Sequence, residues 1–455
     1  MGTSPRSSSR SPQGRKDRRR MSITVAPAVA AWCAVQLVWV AGCIMHGVRL
    51  HASAIILCVV SLTSVIAAPT VVGATPHVAK WRHTATVRLG DRAHPFQLVP
   101  DRRHHRLYVD TGAGVELVHL PSNRVIGRPL GESPGQLLPD LSHNRVYVLP
   151  GGDDLRPSSI RIVRGLSVLG HVPLHLKDPR VNAVVDPATG WLYADVTFDA
   201  DAPSTLWIIN GSHVLAKIPT GIESLPLLPL ARDRTTGDIL VPDIERDPSG
   251  AGPISSFLLF VHRTRVVRRL PINTPRSIVT RGKSIYVIGQ TFDRYRDGQL
   301  VSSAPLTGDP TFVAVTKSGV GYVAGTGPDD TDVTVVQGNK VLGSVPGDSV
   351  YLDPSAEQGY VLSSTQVTVL SGAKVISTTK IRREPYTGAS RFPAWFNRAS
   401  EQMFVLGIHR TLVFHRGVPV RRLATGRSPC AAAGAMTAYV TDCARGRLSI
   451  WRARR

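Results

Sequence analysis

The chain has 455 residues, 42% hydrophobic and 6% aromatic, with 54 Lys and Arg against 32 Asp and Glu for a formal charge of +22. That apolar content excludes a wholly disordered polyelectrolyte, and five cysteines over this length exclude a small disulfide-stapled scaffold. Residues 1–20 hold seven Lys and Arg and one Asp and Arg49 adds one more cation, so the region from Val78 onward retains +15.

Residues 1–20 are Ser, Pro, Gly and Arg with almost nothing apolar, which predicts a disordered basic tail. Within 21–77 two uncharged apolar stretches follow, 23–44 and 52–74, each long enough for one membrane helix and separated by His46–His51 with Arg49. Three topologies fit them. In a helical hairpin, Lys80, Arg82, Arg88 and Arg92 obey the positive-inside rule and the rest of the chain is cytoplasmic. With Met45 as the start instead of Met1, His46 and Arg49 form an n-region, Ala54–Ile66 an h-region and Val72-Gly73-Ala74 a cleavage site. In the third, Val40-Ala41-Gly42-Cys43 resembles a lipoprotein box, against which the second apolar stretch argues. Export is the favoured expectation, with the C-terminal domain outside the cytoplasm.

From Phe96 onward a unit of roughly 40 residues recurs, centred on an aromatic in an apolar run. The runs include Leu107-Tyr108-Val109, Val146-Tyr147-Val148, Leu192-Tyr193-Ala194, Ile285-Tyr286-Val287, Gly321-Tyr322-Val323, Gly359-Tyr360-Val361, Met403-Phe404-Val405 and Ala438-Tyr439-Val440, with Ile239-Leu240-Val241 as a weaker copy. The unit at 180–221 is the fullest. Asn182–Val185 reads as a strand, Asp186-Pro187-Ala188-Thr189-Gly190 as a turn, Trp191–Asp195 as a second strand and Thr205–Ile209 as a third. Asn210-Gly211 is a hairpin signal, and His213–Ile218 a fourth strand. Four antiparallel strands per unit predict an all-β fold, a β-propeller of four-stranded blades occupying 78–455. Nine units are counted; seven to nine blades are expected.

This unit resembles the YVTN family of propeller repeats in Asp186-Pro187, Tyr193, Leu206-Trp207-Ile208-Ile209 and Lys217-Ile218-Pro219-Thr220-Gly221. Asp353-Pro354 with Tyr360-Val361, and Val345-Pro346-Gly347, match in part. The likeness covers roughly Phe96 to Trp451 and implies a fold without an activity. It departs where Asp110 and Asp195 replace the family's Asn and Leu240 replaces the aromatic. Gly followed by Pro marks blade crossovers, including Gly131–Pro134, Gly308–Pro310 and Gly426–Pro429. The last unit, Cys430–Trp451, has room for three strands, so Thr84–Leu89 is expected to supply its fourth and close the ring. Cys430 and Cys443 would then lie at one end of that blade, as a disulfide or as free thiols.

No hydrolase elbow, zinc motif, phosphate loop or dinucleotide fingerprint is present, so no catalytic or cofactor-binding residue is assigned and no cofactor is expected. Arg102-Arg103, Arg268-Arg269, Arg382-Arg383 and Arg421-Arg422 are scattered among units, which does not suggest nucleic acid. The connection between second and third strands is acidic in five consecutive units. These carry Asp153 and Asp154; Asp199 and Asp201; Asp243, Glu245 and Asp247; Asp293 and Asp297; and Asp329, Asp330 and Asp332, 12 of the 32 carboxylates. One face would thereby suit a cation, an amine or a basic partner. Asp is also common in loops because it turns and caps the backbone.

Two functions remain open. One is a binding or scaffolding module of the cell envelope, held at the membrane by its N-terminal segments, with a protein, cationic or cell-wall ligand. The other is a propeller enzyme, a lactonase-like hydrolase or quinoprotein-like dehydrogenase component, with its site at the channel mouth.

Overall fold

The computed structural model describes residues 79–454, apart from 91–96, 132–133, 151–157, 175–178, 198–202, 223–229, 247–252, 328–329, 383–393, 426–428 and 435. The tail and both apolar stretches, with the helices and boundaries expected there, lie outside the described residues.

Nine four-stranded antiparallel sheets form nine blades, settling the expected range at its upper end. Blades one to eight use consecutive strands, at 97–130, 134–173, 180–222, 231–272, 277–305, 308–346, 349–380 and 394–424. Blade nine combines Pro429–Gly434, Thr437–Asp442 and Arg447–Arg454 with Lys80–Arg88, which pairs along Arg447–Arg454 as its outermost strand. The closing strand thus begins earlier than expected. Its extra turn of chain brings in Trp81, which is buried and donates its indole N–H to Gln402 Oε1 of blade eight at 2.7 Å. The weak unit around Leu240 makes a full blade. Gly308–Pro310 is not a crossover but opens the first strand of blade six, Gly308–Val315, whose pairing shifts between Gly308 and Phe312.

Side chains alternate along a strand, so a strand buried on both faces serves two interfaces. Among the described residues the core falls into nine clusters, one in each seam between neighbouring blades. The second strands divide accordingly. Leu107 and Val109 face the seam with blade nine, whereas Tyr108 faces the seam with blade two. Tyr147, Tyr193, Tyr286, Tyr322, Tyr360, Phe404 and Tyr439 likewise pack into the seam with the following blade. Leu240 does the same in blade four without an aromatic ring. Among the described residues all nine seams are built from side chains within 81–453, and His77–Arg455 is a compact unit.

The tyrosine hydroxyl also staples the seam. Tyr108 accepts from the Gly165 N–H at 2.8 Å and Tyr360 from the Gly417 N–H at 2.9 Å, each glycine standing in the third-to-fourth hairpin of the next blade. Tyr147 accepts from Gly211 at 3.3 Å and donates to the Gly190 carbonyl at 2.9 Å. Gly165 and Gly211 have φ of 57° and 58°, a left-handed turn that glycine adopts without strain. The turn-forming acids are equally local in cause. Asp101, Asp186, Asp233 and Asp353 accept backbone N–H groups of the turn that follows the first strand, and Asn397 does so in blade eight.

Tyr360→Phe should preserve the packing but leave the Gly417 N–H unpaired in the seam, costing about 1–3 kcal/mol. Denaturant unfolding of the variant should show a lower midpoint with unchanged slope; an unchanged midpoint would remove the staple's energetic role.

Candidate functional site

Up-and-down order within a blade gives the ring two unlike ends. First-to-second and third-to-fourth turns share one, the hairpin end; second-to-third connections and blade crossovers share the other. Of the predicted acidic residues, Asp153, Asp154, Asp199, Asp201, Asp247 and Asp329 lie outside the described residues. Asp243 and Glu245 belong to the second strand of blade four, Ile239–Arg246, at its crossover end. Asp330 precedes the third strand of blade six and Asp332 begins it.

Asp293 and Asp297 break the predicted pattern. The second strand of blade five stops at Ile288 and turns through Gly289-Gln290, so Asp293 lies within the third strand, Thr291–Arg296. Asp297 sits beyond that strand in the hairpin, at the opposite end of the ring, with φ of 50°. A two-residue turn was too short to show in the sequence.

Four of the six described acids are occupied. Arg269 bonds both Asp243, at 3.0 Å, and Glu245. Buried Asp293 accepts from Ser303 Oγ at 2.5 Å and Asn273 Nδ2 at 2.8 Å, and Asp330 accepts the Asp309 N–H at 2.9 Å. Beside them, partly exposed Asp195 accepts from Thr220 Oγ1 at 3.2 Å, and Thr220 in turn meets Ser204 at 2.7 Å. Burial pushes the Asp195 carboxyl up to about 6 against the lowering effect of those hydroxyls, and the nearby Asp243 charge adds to the rise. Cys430 and Cys443 fall near the start of the first strand and just past the second strand of blade nine; their side chains lie outside the description.

Histidines mark the hairpin end. His104 and His143 bond Asp101 and Asp140 through Nδ1 at 2.8 and 2.7 Å. Burial alone would raise Asp140, but bonds from His143, Arg145 and Ser142 bring it below the usual carboxylate range. These contacts fix turns. Among the described residues no three His, Cys, Asp or Glu side chains group to hold a metal ion. A cavity of about 310 Å³ opens between blades eight and nine, with Thr425, Asp442, Arg445, Arg447 and Trp451 in its wall.

The outer wall is the feature that the sequence hid. The nine outermost strands together hold fourteen Lys and Arg and no Asp or Glu. The dispersed doublets Arg268-Arg269 and Arg421-Arg422 both belong to it. Lys217 covers the Trp207 ring at 3.5 Å and Arg269 the Phe257 ring at 3.7 Å, so part of this charge is seated on the blade beneath. A signal was available in the basic, apolar, apolar opening of several fourth strands, as in Lys340-Val341-Leu342 and Lys374-Val375-Ile376.

No family model and no curated protein matches the chain. Solved structures do resemble it. Hydrazine synthase from Kuenenia stuttgartiensis is 16% identical over 63% of this chain and 97% of its own, with a TM-score of 0.42. The dihydro-heme d1 dehydrogenase NirN is 11% identical over 61% and 64%, with a TM-score of 0.43. These likenesses concern the propeller fold alone.

Asp195 makes stability depend on pH. The folded state keeps this proton to about pH 6, whereas an unpaired Asp loses it near 3.8. Its contribution is therefore complete below 3.8 and lost as pH rises through 6, by at most about 3 kcal/mol, less for the hydration a partly exposed carboxylate retains. Asp195→Asn should flatten the fall in unfolding free energy between pH 4 and 7. Identical slopes for both proteins would contradict the assignment.

Proposed function

We propose that this protein is a binding or scaffolding module of the cell envelope, a YVTN-type propeller with no chemistry of its own. The repeat assignment rests on the recurring Asp turn, the Tyr strand and the glycine hairpin that the tyrosine hydroxyl meets. The observation that carries the binding reading is the outer wall, where exposed cations and aliphatic side chains recur from blade to blade without a carboxylate among them. Such a surface favours an anionic partner by charge and offers it apolar contact. Asp243, Glu245 and Asp330 at the crossover end are already bonded within the protein, which leaves the wall as the better supported contact surface.

The apolar stretches 23–44 and 52–74 are the proposed membrane attachment or export signal, with the propeller outside the cytoplasm. Protease added to intact cells should digest the propeller; protection until lysis would favour the cytoplasmic hairpin.

A photo-crosslinking residue at Val267 on the wall should capture an envelope component in the native host, and one at Asp330 should capture little. Crosslinks confined to Asp330 would transfer the contact surface to the crossover end.

A further inference from the structure

Eighteen large apolar side chains are exposed among the described residues, and all but Leu166 and Phe312 fall in eight pairs. Each pair lies near the start of the fourth strand of one of blades one to eight, as in Val125 with Ile126, Val266 with Val267, and Leu300 with Val301. A β-bulge recurs there. Ile209 faces Val214 and Ile208 faces Ala216, leaving Leu215 as the extra residue; Leu342 and Ile376 are extra in the same way. In the seven adjacent pairs, the bulge interrupts the alternation that would otherwise bury one member. Both members are exposed instead, 42% and 58% for Val266 and Val267.

All these pairs sit at one level. The pairs take the second and third positions of their strands, or the first and third for Val418 and Val420 of blade eight, all within about 7 Å of the hairpin given a rise of about 3.3 Å per residue. That matches the 5–10 Å depth, roughly, to which apolar side chains enter the interface of a bilayer. Exposed Arg124, Arg265, Lys340 and Lys374 occupy the first position of their strands, and no carboxylate pairs with them among the described residues. Arg128 and Arg269, farther along, are neutralised by Glu116 and by Asp243 with Glu245. Four outer strands thus open on an unpaired cation at the hairpin end, whereas Lys380 ends its strand at the crossover end and Arg421 and Arg422 lie mid-strand. The closing strand also starts at the hairpin end, since Lys80 pairs with Arg454, the last residue of its partner strand. Five residues join Lys80 to the end of the second apolar stretch, a reach of at most about 20 Å.

We propose that the hairpin end of the ring lies face-on against an anionic lipid bilayer, its bulged aliphatic pairs entering the headgroup region and its rim of Lys and Arg binding lipid phosphate. This deepens the binding-module reading and rests on it. The basic aliphatic rim selects the partner, and the chain arriving from two apolar stretches is the second argument for lipid over a soluble polyanion.

The test uses residues 77–455, the compact unit that holds all nine seams, sedimented with vesicles of phosphatidylglycerol and phosphatidylcholine, with phosphatidylcholine alone, and with polyphosphate as competitor. Binding should need the anionic lipid and resist polyphosphate. Lys340→Gln with Lys374→Gln should weaken it by about five-fold per charge, whereas Arg269→Gln should change it little. Ile126→Ser on blade one and Leu342→Ser on blade six should each weaken binding, with circular dichroism and melting unchanged. Full displacement by polyphosphate would make the partner a soluble polyanion, and indifference to the serine variants would reduce the contact to surface adsorption. An effect of only one serine variant would mean edge-on contact. Each of these overturns the proposal. Failure on vesicles with wall crosslinks intact would reject lipid and keep the binding module; loss of both would reject the module.

Discussion

The structure depends on second strands that are buried on both faces. Each gives one face of its side chains to the preceding seam and one large residue to the following seam, so no blade can complete its own core. A chain of such units has two unsatisfied ends until it closes. Closure here joins residues 80–88 to the last three strands, which buries Trp81 and Val87 against blades eight and one and hides the seams that would otherwise be open.

Seam chemistry explains what the sequence made legible. Tyr108, Tyr147 and Tyr360 recur because each fills a seam and reaches a hairpin glycine, and the Asp that precedes each turn recurs because it accepts the turn's N–H groups. Both are contacts of fixed geometry between residues at fixed spacing, so they leave a periodic trace. Leu240 shows the limit of the trace: the seam requires bulk, and the ring and hydroxyl are additions that one blade does without.

The acidic pattern was legible as composition but not as a site. Asp293 and Asp297 lie near each other in sequence yet on opposite sides of a strand's end, because Gly289-Gln290 turns the chain sooner than the other four acid-bearing blades do. Asp243 and Glu245 gain their partner from a strand more than twenty residues away, Arg269, a pairing that no local motif announces. Asp243, Glu245, Asp293 and Asp330, which read as part of a binding face, are engaged in bonds that are mostly within their own blades. The Asp195 proton shows what it costs to place one among them without a cation.

The outer strands invert that logic. An exposed sheet edge invites pairing with other chains, and bulges and lysines are common defences. Edge protection accounts for the bulge opposite Ile209 and for Lys340 or Lys374 at the strand start. It does not account for two aliphatic residues at the bulge, since polar residues there would guard the edge better. Nor does packing between blades, which accounts for Leu166 over the close approach of Gly127 but leaves Val267 and Val301 more than half exposed. Apolar exposure repeated in eight blades, all near one end and in four of them beside an unpaired cation, is better explained by a surface the ring meets with that end.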